Sequence, residues 1–140
     1  MDLYKYLDKH IMKNLFTLIF FTLLSTCLWG QGMDCKKFKD GTFKTLPQDG
    51  APVTTIVRKG DIQKEKTEGK RGSSELMVKW IDDCTYTLTP TEKTLKKSPS
   101  LPKNMVLTVT ITQVKEHSYI QTTSCNVFDF KLTFEIFKIK

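Results

Sequence analysis

From Phe128 to Ile136 every second residue is apolar. Phe128, Phe130, Leu132, Phe134 and Ile136 alternate with Asp129, Lys131, Thr133 and Glu135. Successive side chains of an extended chain point to opposite faces, so this stretch can bury one clean face only as a strand. Phe137 and Ile139 then break the parity. A bulge near residue 136 would turn both apolar sets inward; burial of the strand end on both sides is the alternative.

The same signal, shorter and weaker, recurs along the chain. Runs rich in Val, Ile, Thr, Tyr and Phe are separated by Gly, Asp, Pro and Ser, the pattern of strands joined by turns. Strands are expected at about 41–46, 53–59, 62–67, 74–80, 84–89, 105–114, 118–124 and 128–139. Eight short antiparallel strands within one domain-sized chain imply an all-β, up-and-down meander. A closed barrel is favoured over a sandwich, because closure removes the sheet edges through which chains aggregate. The stretch between the fifth and sixth strands, 90–104, carries Pro90, Pro99 and Pro102 and reads as a long loop.

The N-terminal part reads differently. Leu15–Trp29 is an uncharged, largely apolar run with Lys13 before it and Gly-Gln-Gly after it, the layout of a secretory signal peptide. It is shorter than the roughly 18 apolar residues of a spanning helix. Residues 1–30 are therefore read as a signal peptide, with Met12 as an alternative start and cleavage near Gly30. A lipoprotein signal ending at Cys27 is the competing reading. The expected location is outside the cytoplasm, periplasmic or extracellular, with no transmembrane segment in the mature chain. Loss of residues 1–30 removes three lysines and two aspartates, taking the net charge from +7 to +6. Such a charge could attract nucleic acid or anionic lipid. However, Arg58 and Arg71 are the only arginines, and lysines scattered along strands and loops describe a solvated face. Specific nucleic-acid binding is not expected.

The stretch Lys79–Pro90, KWIDDCTYTLTP, gathers two aromatics, two carboxylates and a cysteine. Register decides between a site and a turn. A three-residue loop, Ile81-Asp82-Asp83, would pair Trp80 with Cys84, Val78 with Tyr86 and Leu76 with Leu88, placing all six on one face. A two-residue turn would split them between faces, because a one-residue slip inverts a strand. The carboxylates are thus read as turn residues. No histidine lies nearby, and no zinc-ligand spacing is present; no metal is expected.

Cys35, Cys84 and Cys125 follow the export segment. In a meander, the lead-in to the first strand and the turn between strands four and five share one end, while Cys125 lies at the other. A Cys35–Cys84 disulfide is expected, with Cys125 free, in a compartment that permits oxidation. His117, in the turn KEHS, is expected to be exposed. Glu65, Glu75 and Asp129 could meet only through the fold; carboxylates alternating with lysines ordinarily mark a solvated strand face. No nucleophile motif, phosphate loop or dinucleotide fingerprint occurs. No catalytic residue, no cofactor and no enzymatic activity are expected.

The stretches DCKKFKDGTF at 34–43 and VKWIDDCTYTL at 78–88 together resemble a family of short exported bacterial proteins that end soon after an eighth strand. Some members carry the name DNA topoisomerase IV. Strand passage requires an ATPase module, a DNA gate and a nucleophilic tyrosine, for which this chain has neither length nor motifs. Gly41-Thr42-Phe43 also resembles the Gly-x-Trp start of lipocalin-type barrels, with phenylalanine replacing tryptophan. That likeness implies a ligand in the barrel mouth. A small apolar ligand is the first partner expected, with Phe43, Trp80, Tyr86, Phe130 and Phe134 as candidate contacts. Leu76, Val78, Leu107, Val109 and Ile111 are further candidates for the lining. Such side chains also form the core that any barrel of this size needs. The alternative is an envelope-associated module that binds another protein through loop 90–104.

Overall fold

The computed structural model describes residues 32–46 and 50–140; the expected signal peptide lies outside them. The strands are β1 (Gly41–Thr45), β2 (Thr54–Lys59), β3 (Ile62–Thr67), β4 (Ser74–Trp80), β5 (Thr85–Pro90), β6 (Leu107–Val114), β7 (Ser118–Cys125) and β8 (Lys131–Lys138). They form a closed barrel in chain order, all neighbours antiparallel, with β8 returning to β1. Backbone bonds beyond the ladder extend the closure. Thr42 N donates to Lys140 O at 2.8 Å, and Ile139 N donates to Thr42 O at 2.7 Å. Gly41 makes this approach possible. It has φ +142°, and a β-carbon there would lie 2.6 Å from Lys140 O, too close for any other residue without a backbone shift.

Alternation sorts the side chains as a barrel requires. In β4, Leu76 and Val78 are buried while Met77 is exposed; in β5, Tyr86 and Leu88 are buried. Core residues fall into two clusters, one drawn from the lead-in, β1, β2 and β6–β8 and the other from β4–β6. One gathers Cys35, Phe38, Phe43, Ile56, Ile111, Tyr119 and Ile136. The other gathers Leu76, Val78, Tyr86, Leu88 and Val109.

Three expectations are corrected. Trp80 pairs with Tyr86, Val78 with Leu88 and Leu76 with Pro90, two residues away from the register read in the sequence. A two-residue slip preserves which face each side chain occupies, so inward burial could not distinguish the two. Asp82 selects the longer turn: its Oδ1 accepts from Cys84 N at 2.8 Å and Thr85 N at 2.7 Å. Second, β8 pairs without a register shift through Ile136, and the bulge lies in β6 between Ile111 and Gln113. Phe137 is half-buried, Ile139 exposed, and Phe128 precedes the strand and is also exposed. Third, the segment after β5 is not simple loop. It contains helix α1 (Glu92–Lys97), capped by Thr91, whose Oγ1 accepts from Thr94 N. Thr94 Oγ1 ties the helix to β4, accepting from Glu75 N and donating to Glu75 O, each at 2.8 Å.

Candidate functional site

The two ends of the barrel differ because their connections differ. At one end lie the short turns β2–β3, β4–β5 and β6–β7, together with the segment leading into β1. That segment forms a 3-10 turn, Lys36–Phe38, which carries Phe38 into the barrel with no exposed surface. The Phe38 ring lies 4.8 Å from that of Tyr119. Cys35 is bonded to Cys84, as the meander implied. Lys37 Nζ donates to Lys115 O at 2.9 Å, and Lys138 Nζ donates to Lys37 O. The lead-in is therefore pinned to the β4–β5 turn, the β6–β7 turn and β8, and this end is sealed. His117, in the β6–β7 turn, is exposed.

Beneath the plug sits Arg58, only 1% exposed. A buried guanidinium is costly unless its donors are engaged. Nε donates to Gln63 Oε1 at 2.7 Å and Nη1 to Phe38 O at 2.9 Å. Nη2 donates to the hydroxyls of Tyr86 at 2.7 Å and Tyr119 at 3.3 Å. The guanidinium also lies over the rings of Tyr86, Phe43 and Trp80, at 4.5, 5.3 and 5.8 Å, where ring quadrupoles attract a cation. Phe43, Trp80 and Tyr86, three of the candidate ligand contacts, thus surround an internal cation. Burial pushes the Tyr86 phenol well above its ordinary range, so it stays protonated. Its hydroxyl donates to Gln121 Oε1 at 3.1 Å.

Among the described residues, the other end is open. A cavity of about 370 Å³ lies there, lined by Ile56, Leu88, Leu107, Val109, Phe134 and Ile136 along its walls. Leu46, Lys70, Phe130 and Leu132 also border it. Phe130 and Phe134, the remaining two candidate contacts, therefore face this space. Leu46 and Leu132 keep about half their surface exposed, at 58% and 46%, and form the rim.

The floor is polar. Gln63, Glu65, Gln121 and Thr123 all border the cavity, and their orientation follows from Arg58. Arginine only donates, so the Gln63 oxygen turns toward it and the Gln63 amide nitrogen must point away. That nitrogen donates to Glu65 Oε1 at 2.6 Å. On the other side, Tyr86 takes the oxygen of Gln121, whose Nε2 donates to Thr123 Oγ1 at 3.3 Å. Burial raises the Glu65 pKa above its ordinary value, against the pull of the Gln63 hydrogen bond and of Arg58.

Sequence reading placed Glu65 on a solvated face, and here it is corrected. Lys64 and Lys66 point outward, while Gln63 and Glu65 point into the barrel. Polar residues occupy both parities of β3, so alternation gives no direction. Arg58 was equally hidden, although it shares parity with Ile56 in β2, the one available signal. Glu75 remains at the surface between Lys64 and Lys93, at 3.8 and 3.7 Å, and Asp129 is exposed. Cys125 is an unpaired, half-buried thiol at the end of β7. Among the described residues no three His, Cys, Asp or Glu side chains converge in a metal-sized group. Nor is any helix among them long and apolar enough to cross a membrane. Comparison with known proteins finds no matching family model, no matching curated protein and no matching solved structure.

Proposed function

We propose that this chain is an exported, non-catalytic binding protein that holds a small, mainly apolar ligand inside the open end of its barrel. One observation carries the reading: an apolar-walled space of about 370 Å³ opens at one end of a barrel whose other end is plugged. At roughly 30 Å³ per water molecule, that space corresponds to about a dozen waters. It lies within the usual range for small-molecule sites, which combine apolar walls with a few placed polar groups. The Cys35–Cys84 bond fits an oxidising compartment.

Titration with the neutral fluorophore N-phenylnaphthylamine tests the reading. Saturable enhancement is expected for the wild type. Leu107→Trp adds bulk at a half-buried wall position, and this variant should bind the probe at least about tenfold more weakly, a difference of ~1.4 kcal/mol. Unchanged affinity in Leu107→Trp would refute a ligand in this cavity, and so would the absence of saturable binding by this probe and by simple amphiphiles alike.

A further inference from the structure

Building on the cavity reading, we propose that the ligand is an amphiphile whose protonated amine meets Glu65 while its apolar body lies along Ile56, Leu88, Val109 and Phe134. The choice of head group follows from which polar atoms remain free. Arg58 cannot serve an anionic ligand: it is only 1% exposed, and all three of its nitrogens donate within the protein. Between Arg58 and the cavity stands Gln63, whose amide is held with its oxygen toward the cation. The charged group that reaches the cavity on this side is therefore the Glu65 carboxylate. Its Oε1 accepts from Gln63. Its Oε2 has no protein partner among the described residues. No fully buried side-chain oxygen lacks a partner there, so Oε2 is open to the space that Glu65 borders.

A bare carboxylate oxygen among apolar walls needs a donor once a ligand displaces water. A ligand anion would leave it unpaired and face it with like charge. An alcohol offers one neutral donor. An ammonium offers donors and a compensating charge, giving the stronger, charge-assisted bond. Lys70, the cation at the rim, is exposed and keeps its own solvent, so it does not neutralise Glu65 from within. On β3, the inward neighbours of Glu65 are Gln63 and Thr67, both neutral and both on the cavity.

The test compares octylamine, octanol and octanoate by calorimetry at neutral pH, on the wild-type protein and on Glu65→Gln. Octylamine should bind the wild type at least about tenfold tighter than octanol, the scale by which a charged hydrogen bond exceeds a neutral one, and octanoate should bind weakest. Glu65→Gln keeps an acceptor for Gln63 and should abolish the octylamine advantage while sparing octanol. Equal affinity of octylamine and octanol for the wild type overturns the head-group assignment, and so does an advantage that survives Glu65→Gln. If N-phenylnaphthylamine still binds in either case, the cavity reading stands without it. If neither that probe nor any of the three amphiphiles binds, the cavity reading itself falls.

Discussion

Replacing both bridging cysteines, Cys35→Ala with Cys84→Ala, should cost the barrel about 5 kcal/mol, most of it through the unfolded chain. The bonded residues are 49 positions apart, and the intervening segment holds β1 to β4, half of the sheet. Closing a loop of that length removes about 14 cal/mol/K from the denatured ensemble in the chain-entropy treatment, or roughly 4 kcal/mol near room temperature. Cys35 has no exposed surface and packs in the same core cluster as Phe38, Phe43 and Tyr119. Deleting its sulfur should add on the order of 1 kcal/mol for the space left behind. The folded barrel should survive, because Phe38 remains buried against Tyr119 and bonded to Arg58. Equilibrium urea unfolding, followed by the fluorescence of Trp80, measures the loss. The Trp80 ring lies 4.5 Å from that of Tyr86, so its emission reports on this end of the molecule. The m-value should rise in the double variant, since an uncrosslinked denatured chain exposes more surface. Reduced wild-type protein should unfold within about 1 kcal/mol of the variant, because both lack the same constraint. A loss below about 1 kcal/mol, with unchanged m, would refute an unfolded-state origin for the stabilisation.

Three further outcomes are expected. Arg58→Met should destabilise the barrel by at least about 3 kcal/mol, because Phe38 O, Gln63 Oε1 and two phenols lose a charged donor inside the core; a loss below about 1 kcal/mol by urea unfolding would contradict this. Glu65→Gln should stabilise at neutral pH. Folding raises the Glu65 pKa, so the native state favours the protonated acid: the penalty is absent below the unfolded pKa and fully present above the folded one. The stability gap between variant and wild type, measured across an acid-to-neutral series, should therefore grow with pH; Arg58, which acts on Glu65 through Gln63, stays charged throughout, and a constant gap would count against the assignment. Gly41→Ala should cost roughly 1–3 kcal/mol, from its φ of +142° and the 2.6 Å approach of its β-carbon to Lys140 O; thermal unfolding within experimental error of the wild type would show that β8 gives way freely.

What could be read in the sequence was set by parity. Strand positions, the meander and the Cys35–Cys84 bond all follow from which residues alternate and which connections share an end, and the barrel reproduces them. Features that parity leaves undetermined were missed. The β4–β5 register slid by two residues without moving any side chain to the other face, and Asp82, through two backbone bonds, settled it. Of the two readings of the β8 end, the bulge is absent there and occurs in β6, where Thr112 is the extra residue between Ile111 and Gln113; burial on both sides, the other reading, holds for Phe137, half-buried on the outer face, but not for Ile139. Of the five candidate contacts, Phe130 and Phe134 border the cavity, whereas Phe43, Trp80 and Tyr86 enclose Arg58. Hydrophobicity cannot separate an aromatic that lines a space from one that covers a charge. The polar floor was invisible for a related reason: in β3 charged or polar residues occupy both faces, so nothing local says that Glu65 turns inward while Lys64 and Lys66 do not.

Among the described residues, the plugged base makes the barrel a cup rather than a tube. A ligand held there, as proposed above, would have to leave by the doorway through which it arrived, because the base, stapled by its sulfur bridge, offers no back exit. Residence time then becomes a property of the lip, where Leu46, Phe130 and Leu132 stand. Substitutions there would then retune how fast a guest escapes without touching Glu65, the group proposed to select it.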